Sequence, residues 1–209
     1  MRKFLIVDDH DIVRQGLKLL IKEFYPTAEI DEARDGDTAE VCLKNESYSL
    51  VILDIQMPNT NSFELLDYII NLHPQTKVLV FSMSPEAIYG KRVIKAGAHG
   101  YLSKESSMEE VKKALQTIID GRRYISNKLL ETLVDDGTNG KVVNPFSRLS
   151  SREFEITTFL LAGQSVSEIA QTVHLQPSTV GTYKSRIFEK LNVSNLIELK
   201  ELATIYNFS

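Results

Sequence analysis

Four short apolar runs in this chain each lead into a polar side chain. Residues 4–7 run into Asp8 and Asp9, 51–53 into Asp54, 78–81 into Ser82, and 100–103 into Lys104. A short apolar run bounded by a turn signal reads as a strand buried on both faces of a parallel sheet. Pro58 ends the central run, because proline cannot donate to a sheet ladder. Right-handed crossovers bring the carboxyl ends of such strands together, and open α/β sheets bind ligands there. The pocket so formed would hold three carboxylates, a hydroxyl and an ammonium. Close anions repel unless a cation sits among them. Oxygen ligands on a small open site, with room left for phosphate, suit Mg²⁺. In such a site a carboxylate can act as a nucleophile toward a phosphoryl group, while a lysine screens the added charge. One strand-end aspartate alone would more simply cap the next turn; the set of four argues for chemistry.

The elements that must position these groups are legible as alternating strands and helices. Helical spacing of Ile12, Val13, Leu17, Leu20, Ile21 and Phe24 predicts a helix over 11–24, with Asp11 as its cap and Pro26 beyond it. A strand over 28–33 and a helix over 37–44 precede the central strand. A helix through Leu72 follows it, closed by His73 and Pro74. The strand 77–81 leads to Ser82, and a helix over 85–95 is closed by the stretch 96–100. The strand at Tyr101 and Leu102 leads through Lys104 to a helix over 107–120, with Ser106 or Ser107 as cap. Five strand–helix units predict an α/β domain, a doubly wound five-stranded parallel sheet with helices on both faces. This domain is expected to span 1–121. Residues 122–134 read as helical and 135–140 as a linker rich in Asp, Gly and Asn, within a connecting segment 122–145.

From Leu149 onward the period is helical throughout, which predicts an all-α domain over 146–209. Ser150 and Glu153 resemble a capping box. One helix ends near Gly163, a second covers 166–173, a third runs from Pro177 to Leu191, and a fourth covers 196–205. Val180, Tyr183, Ile187 and Leu191 should point inward on the third. Residues 166–185 resemble a helix-turn-helix, whose second helix enters the major groove of DNA.

Asp8, Asp9, Asp54, Met57, Pro58, Ser82, Tyr101 and Lys104 together resemble the receiver domain of bacterial two-component response regulators. With the helix-turn-helix, the chain resembles the NarL/FixJ family, whose output is a LuxR-type DNA-binding domain. The resemblance implies that Asp54 accepts a phosphoryl group from a sensor histidine kinase or a small phosphodonor. It implies that Asp9, Asp54 and the backbone carbonyl of Gln56 ligate Mg²⁺, with Asp8 holding a metal-bound water. Ser82 and Lys104 would contact the phosphate, and Tyr101 would turn inward as Ser82 moves toward it. Thr179, Gly181, Thr182, Lys184, Ser185, Arg186 and Lys190 would face double-stranded DNA, and the phosphorylated protein would act as a homodimer. Residue positions predict no single dimer face, and the resemblance makes the helix over 196–205 a candidate contact between output domains. The chain would be a regulator, not an enzyme, beyond self-phosphorylation and self-dephosphorylation.

Departures from the family pattern are visible. Receivers usually carry glycine where this chain has Ser62, and a site that needed positive φ would strain a serine. The family often has lysine at Gly181, histidine at Tyr183 and arginine at Leu196.

Composition narrows the class. The 209 residues carry a formal charge of −4, and 146–209 holds six basic and six acidic side chains, so the acidity belongs to the rest of the chain. The recognition helix is locally positive through Lys184, Arg186 and Lys190 against Glu189. No apolar run approaches the roughly 18 residues of a membrane span. The apolar stretch after the basic start is cut short by Asp8 and Asp9, so it reads as a strand and not a signal peptide. The single cysteine, Cys42, excludes an internal disulfide and is expected to be a buried thiol. Together these features predict a cytoplasmic protein. His10, His73, His99 and His174 share no metal-binding spacing and are expected on loops or the surface.

Overall fold

The computed structural model describes residues 2–58, 60–84, 86–126, 129–130, 144–206 and 208. The chain forms two compact units, Met1–Leu133 and Val134–Ser209.

The first unit alternates strand and helix: β1 Lys3–Val7, α1 Asp11–Phe24, β2 Glu29–Ala33, α2 Gly36–Asn45, β3 Leu50–Leu53, α3 Ser62–Leu72, β4 Lys77–Ser82, α4 Glu86–Lys95, β5 Gly100–Ser103 and α5 Met108–Ile119. The strands pair in parallel in the order β2-β1-β3-β4-β5, the doubly wound sheet that the alternation predicts. Neighbours in register share a face. Phe4, Ile6, Leu50, Ile52, Leu79, Phe81 and Leu102 form one core with Leu17, Leu20 and Ile21 of α1 and Val111, Ala114, Leu115 and Ile118 of α5. The alternate residues Leu5, Val7, Val51, Leu53, Val78 and Val80 are also buried, on the side of α2, α3 and α4. Burial on both faces explains why the central strands read as continuous apolar runs.

Local signals set most helix ends. Asp35 caps α2 in a capping box with Thr38, and Asn61 and Ser107 cap α3 and α5. At α1 the expected cap is displaced by one residue. His10 holds the cap position without a side-chain bond, and the Asp11 carboxylate bonds Arg14 instead. Ser62 begins α3 in helical conformation after Asn61, and the only positive-φ residues other than glycine among the described residues are His174 and Asn192. Ser62 is therefore unstrained, contrary to the concern raised by its usual replacement. Cys42 is partly exposed, not buried. In α2 the helical period turns Ala39 and Leu43 inward and leaves Val41 outward.

The first unit continues past the expected boundary at 121. The Tyr124 backbone N–H donates to the His99 carbonyl at 2.9 Å, and Tyr124 bridges Gly100. Leu129 is buried and packs on Gly90 of α4, where a Cβ would meet its methyls at 3.0 Å. Residues 122–126 are not helical, and 129–130 are. The rest of the helix expected over 122–134, and the linker signal 135–140, lie outside the described residues.

The second unit holds a 3₁₀ turn, Pro145–Arg148, then α6 Ser151–Leu161, α7 Val166–Thr172, α8 Pro177–Leu191 and α9 Leu196–Ile205. Ser150 and Glu153 make the expected capping box, and Ser165 with Glu168 make a second. Pro177 opens α8 where its missing N–H is harmless. Asn192 closes it in the left-handed conformation. Phe146, Phe154, Ile156, Ile169, Val180, Ile187, Leu191, Leu199 and Phe208 are buried in this unit.

Candidate functional site

The sheet register sets the acidic pocket. Val7, Leu53 and Val80 lie level across three strands. The Asp54 N–H continues the ladder to the Val7 carbonyl at 2.9 Å, and the Lys104 N–H reaches the Ser82 carbonyl at 3.0 Å. Residues separated by up to about a hundred positions are thereby brought to one carboxyl edge.

Asp54 is 3% exposed. Its Oδ1 accepts from the Ser82 hydroxyl at 2.7 Å and from the Gln56 backbone N–H at 3.0 Å. Its Oδ2 accepts from the Lys104 ammonium at 2.7 Å. Lys104 is 6% exposed and lies 2.7 Å from Asp8 Oδ2 as well. Burial alone would lower the lysine pKa, but its bonds to Asp54 and Asp8 outweigh that and raise it above the ordinary value. The ammonium thus stays charged between two carboxylates.

One carboxylate is left without such support. Asp9 Oδ1 is buried yet accepts no hydrogen bond among the described residues, although the His10 Nδ1 lies 2.9 Å away. Ligand atoms from Asp8, Asp9, His10 and Asp54 all lie within 4.8 Å of one another. Three carboxylates with one cation leave net negative charge and an unbonded buried oxygen, a donor set that fits a hard divalent cation such as Mg²⁺.

Beside the pocket, Tyr101 is 1% exposed and its hydroxyl donates to the Ser84 carbonyl. Burial raises its pKa, so the phenol stays protonated as a donor. The Ser84 N–H in turn reaches the Ser82 hydroxyl at 3.4 Å. The inward tyrosine and the pocket-facing serine therefore occur together, linked through one residue.

Sequence reasoning missed three residues. His10 was placed on the surface by histidine spacing; its ring is 63% exposed but its Nδ1 also stands 3.3 Å from Asp8 Oδ1. Its position directly after the acidic pair was the available signal. Ser84, which acts through its own main chain, and Arg14, whose guanidinium donates to the Asp8 carbonyl, carried no signal, because contacts made by or to main-chain groups leave no residue pattern. His99 is on a loop as expected, but it is half-buried and its Nδ1 accepts from the Val78 N–H at 3.2 Å. Burial, with Arg123 and Lys77 nearby, lowers its pKa.

In the second unit, α8 presents Thr179, Thr182, Ser185 and Arg186 outward. Ser178, Thr179, Thr182, Tyr183 and Arg186 line an open groove of about 260 Å³. Tyr183 was expected inward; it is only partly buried, while Val180, Ile187 and Leu191 form the inner face. The Thr182 and Ser185 hydroxyls fold back onto helix carbonyls, Ser178 at 3.1 Å and Gly181 at 3.2 Å. Lys184 lies over its own helix neighbour Phe188 at 5.4 Å. Nothing lies within 4 Å of a Cβ built on Gly181, so that position faces open space. Lys190, expected to face DNA, is exposed and carries an ion pair within the unit. Its ammonium bonds Glu153 at 2.6 Å, because it lies in the last turn of α8, beside the α6 cap and away from the groove-facing end. Glu153 is buried, and although burial alone would raise its pKa, Lys190 and Ser150 lower it below the ordinary value.

The comparisons with known proteins agree with this geometry. The family model described as response regulator receiver domain matches residues 4–116, and that described as bacterial regulatory proteins, luxR family, matches 147–203. The response regulator GacA of Pseudomonas protegens is 32% identical over 203 residues, covering 97% of this chain and 95% of GacA. The response regulator UvrY of Escherichia coli is 31% identical over 204 residues, covering 97% and 94%. RcsB of Salmonella enterica serovar Typhimurium, solved on a promoter with phosphomimetic beryllofluoride, superimposes with a TM-score of 0.73 over 98% of this chain and 99% of its own. At 24% identity that likeness speaks for the fold. Among the described residues, no helix is long and apolar enough to cross a membrane.

Proposed function

This chain belongs to the two-component response regulators with a LuxR-type output domain, and from that premise we propose that phosphorylation of Asp54 switches its binding to DNA. The observation that carries the reading is Asp54 itself. It is buried at a strand end, with a hydroxyl and an ammonium each 2.7 Å from its two oxygens.

In the proposed reaction a carboxylate oxygen of Asp54 attacks the phosphorus of a phosphohistidine on a sensor kinase, or of a small phosphodonor. The new P–O bond replaces the donor's P–N or P–O bond, and the donor leaves with the electron pair. Ser82 and Lys104, already directed at the carboxylate, would move their bonds to the phosphoryl oxygens and hold the added charge. Asp9, Asp54 and the Gln56 carbonyl would hold Mg²⁺, with Asp8 acting through water. When bound, the ion supplies positive charge against the carboxylates and the incoming phosphoryl group. Tyr101 is already inward while Ser82 bonds Asp54, so a phosphate that holds Ser82 would lock the Ser82, Ser84 and Tyr101 arrangement, and this is the proposed route to the receiver surface. Such a switch needs only a few kcal/mol of bias between two packings.

Output is proposed to run through α8, with Thr179, Thr182, Lys184 and Arg186 toward a major groove and the Gly181 position leaving the backbone close to it. RcsB is described as dimers on DNA, and a homodimer on paired half-sites is proposed here too. The exposed Ile197 and Ile205 of α9 support that helix as the contact between output domains. A cytoplasmic location follows from this role.

The test is fluorescence anisotropy on a promoter fragment from upstream of the chain's own gene, with and without beryllofluoride and Mg²⁺. Tightening that requires the mimic and disappears in Asp54→Ala is the expected result. Equal affinity in every condition would leave a DNA-binding protein with a passive receiver.

A further inference from the structure

The three acids of the pocket are not held equally. Asp8 is fixed on every side. Its carboxylate takes Lys104 at 2.7 Å and the His10 backbone N–H at 2.9 Å, and its own N–H donates to the Ala33 carbonyl at 3.1 Å. Asp54 is fixed by Ser82, Gln56 and Lys104. Asp9 has a buried Oδ1 with no hydrogen bond; the exposed His10 ring stands 2.9 Å from it, and its direction otherwise depends on the backbone that carries it. That backbone is the peptide joining Asp8 to Asp9, and the carbonyl of that peptide accepts from Arg14 Nη1 at 2.7 Å.

Arg14 is itself clamped. Its side chain is 13% exposed, with Nη2 on Asp11 at 2.7 Å and Nε on Glu32 at 3.3 Å. Glu32 also takes Lys18 at 2.7 Å and Gln15 at 3.1 Å. One planar fork therefore ties α1 and β2 to a single carbonyl at the metal-facing turn. A lysine, with one point of charge, could not hold all three acceptors in that plane.

We infer that Arg14 is a positioning residue for the metal site: by fixing the Asp8–Asp9 peptide plane it aims the Asp9 carboxylate into the pocket. This rests on the reading of the pocket as a Mg²⁺-dependent phosphoacceptor site. Groups that orient metal ligands without touching the ion typically govern affinity by about ten- to a hundredfold.

The experiment is calorimetric titration of the full-length protein with Mg²⁺, for wild type, Arg14→Ala, Arg14→Lys and Glu32→Gln, with thermal midpoints measured without metal. The expected result is at least about tenfold weaker Mg²⁺ binding in Arg14→Ala, a partial recovery in Arg14→Lys, and a smaller loss in Glu32→Gln. Weakened binding at a temperature where each variant is fully folded separates aim from mere stability. A folded Arg14→Ala with wild-type Mg²⁺ affinity would overturn the inference while leaving the phosphoacceptor reading intact. A wild type that binds no Mg²⁺ would overturn both. If Arg14→Ala does not fold, Glu32→Gln decides in its place: weaker binding upholds the positioning role, and wild-type binding rejects it.

Discussion

Lys104 and Arg186 are both cations at functional surfaces, but under opposite conditions. Lys104 is 6% exposed and bonded to two carboxylates, whereas Arg186 is exposed and pairs with no carboxylate among the described residues. The first is assembled from strand ends far apart in the chain, the second from one helix. Charge inside the pocket is set by distance and desolvation, so a small change of occupancy shifts a large energy. Charge along α8 is screened and waits for an external partner, so it governs affinity and salt dependence more than structure. A regulator of this kind places its switch where electrostatics are strong and its reader where they are adaptable.

The largest effect that would break this contrast is expected from Asp54→Ala. Phosphoryl incorporation from acetyl phosphate, read by mass spectrometry, should fall to nothing, while basal DNA affinity should stay at the unphosphorylated level. Phosphorylation persisting in that variant would move the acceptor elsewhere.

Next in size is Lys104→Met, which leaves Asp8 and Asp54 buried beside each other without their cation. Removing one partner of a buried ion pair costs about 3–5 kcal/mol, so denaturant unfolding of the first unit should shift strongly, and Mg²⁺ should restore part of it. The lysine also sets a pH dependence. Its folded pKa lies above the ordinary 10.5, so its stabilisation is complete below that pH and is lost as pH rises through the folded value. Alkaline unfolding should accordingly be steeper in wild type than in Lys104→Met.

A smaller loss is expected from Glu153→Gln in the output unit, which removes the charged member of the Ser150 cap and the partner of Lys190. The cost should be about 1–2 kcal/mol. The Glu153 pKa is lowered from 4.5, so this contribution is present above that pH and disappears as pH falls through the lower folded value. If Lys190→Ala weakened DNA binding more than it lowered the melting midpoint, the assignment of Lys190 to structure would be wrong.

The smallest effect is at Gly181. Alanine there meets open space and should stabilise α8 by about 1 kcal/mol. Gly181→Lys should steepen the salt dependence of DNA binding by about one unit of slope. An unchanged slope would place Gly181 off the DNA face.

Much of this was legible beforehand, and unevenly so. The sheet was readable because strands buried on both faces are continuous in apolar residues, and the strand-end groups Asp8, Asp9, Asp54, Ser82 and Lys104 stand where those runs stop. The capping box at Ser150 and Glu153 was readable because a cap is a local contract between near neighbours. Cys42 and Tyr183 were misplaced because helical phase at a flank decides between half-buried and buried, and a short sequence window does not fix it. The pairing of Lys190 with Glu153 was not legible, because the two are 37 residues apart. Tyr124 and Leu129 joined the first unit because they fill a site at Gly100 and Gly90 that only the folded sheet and α4 create.

By itself, then, the sequence determined the strand and helix order, the identity of the acidic, hydroxyl and ammonium groups, and the helical grammar of the output unit. These depend on local preference and on a burial pattern with a fixed period. The tertiary structure alone decided that Lys104 bridges Asp8 and Asp54, that Asp9 keeps an unbonded oxygen, and that Arg14 holds the turn between them. Those are distances between groups on different strands and helices, and only sheet register and packing set them.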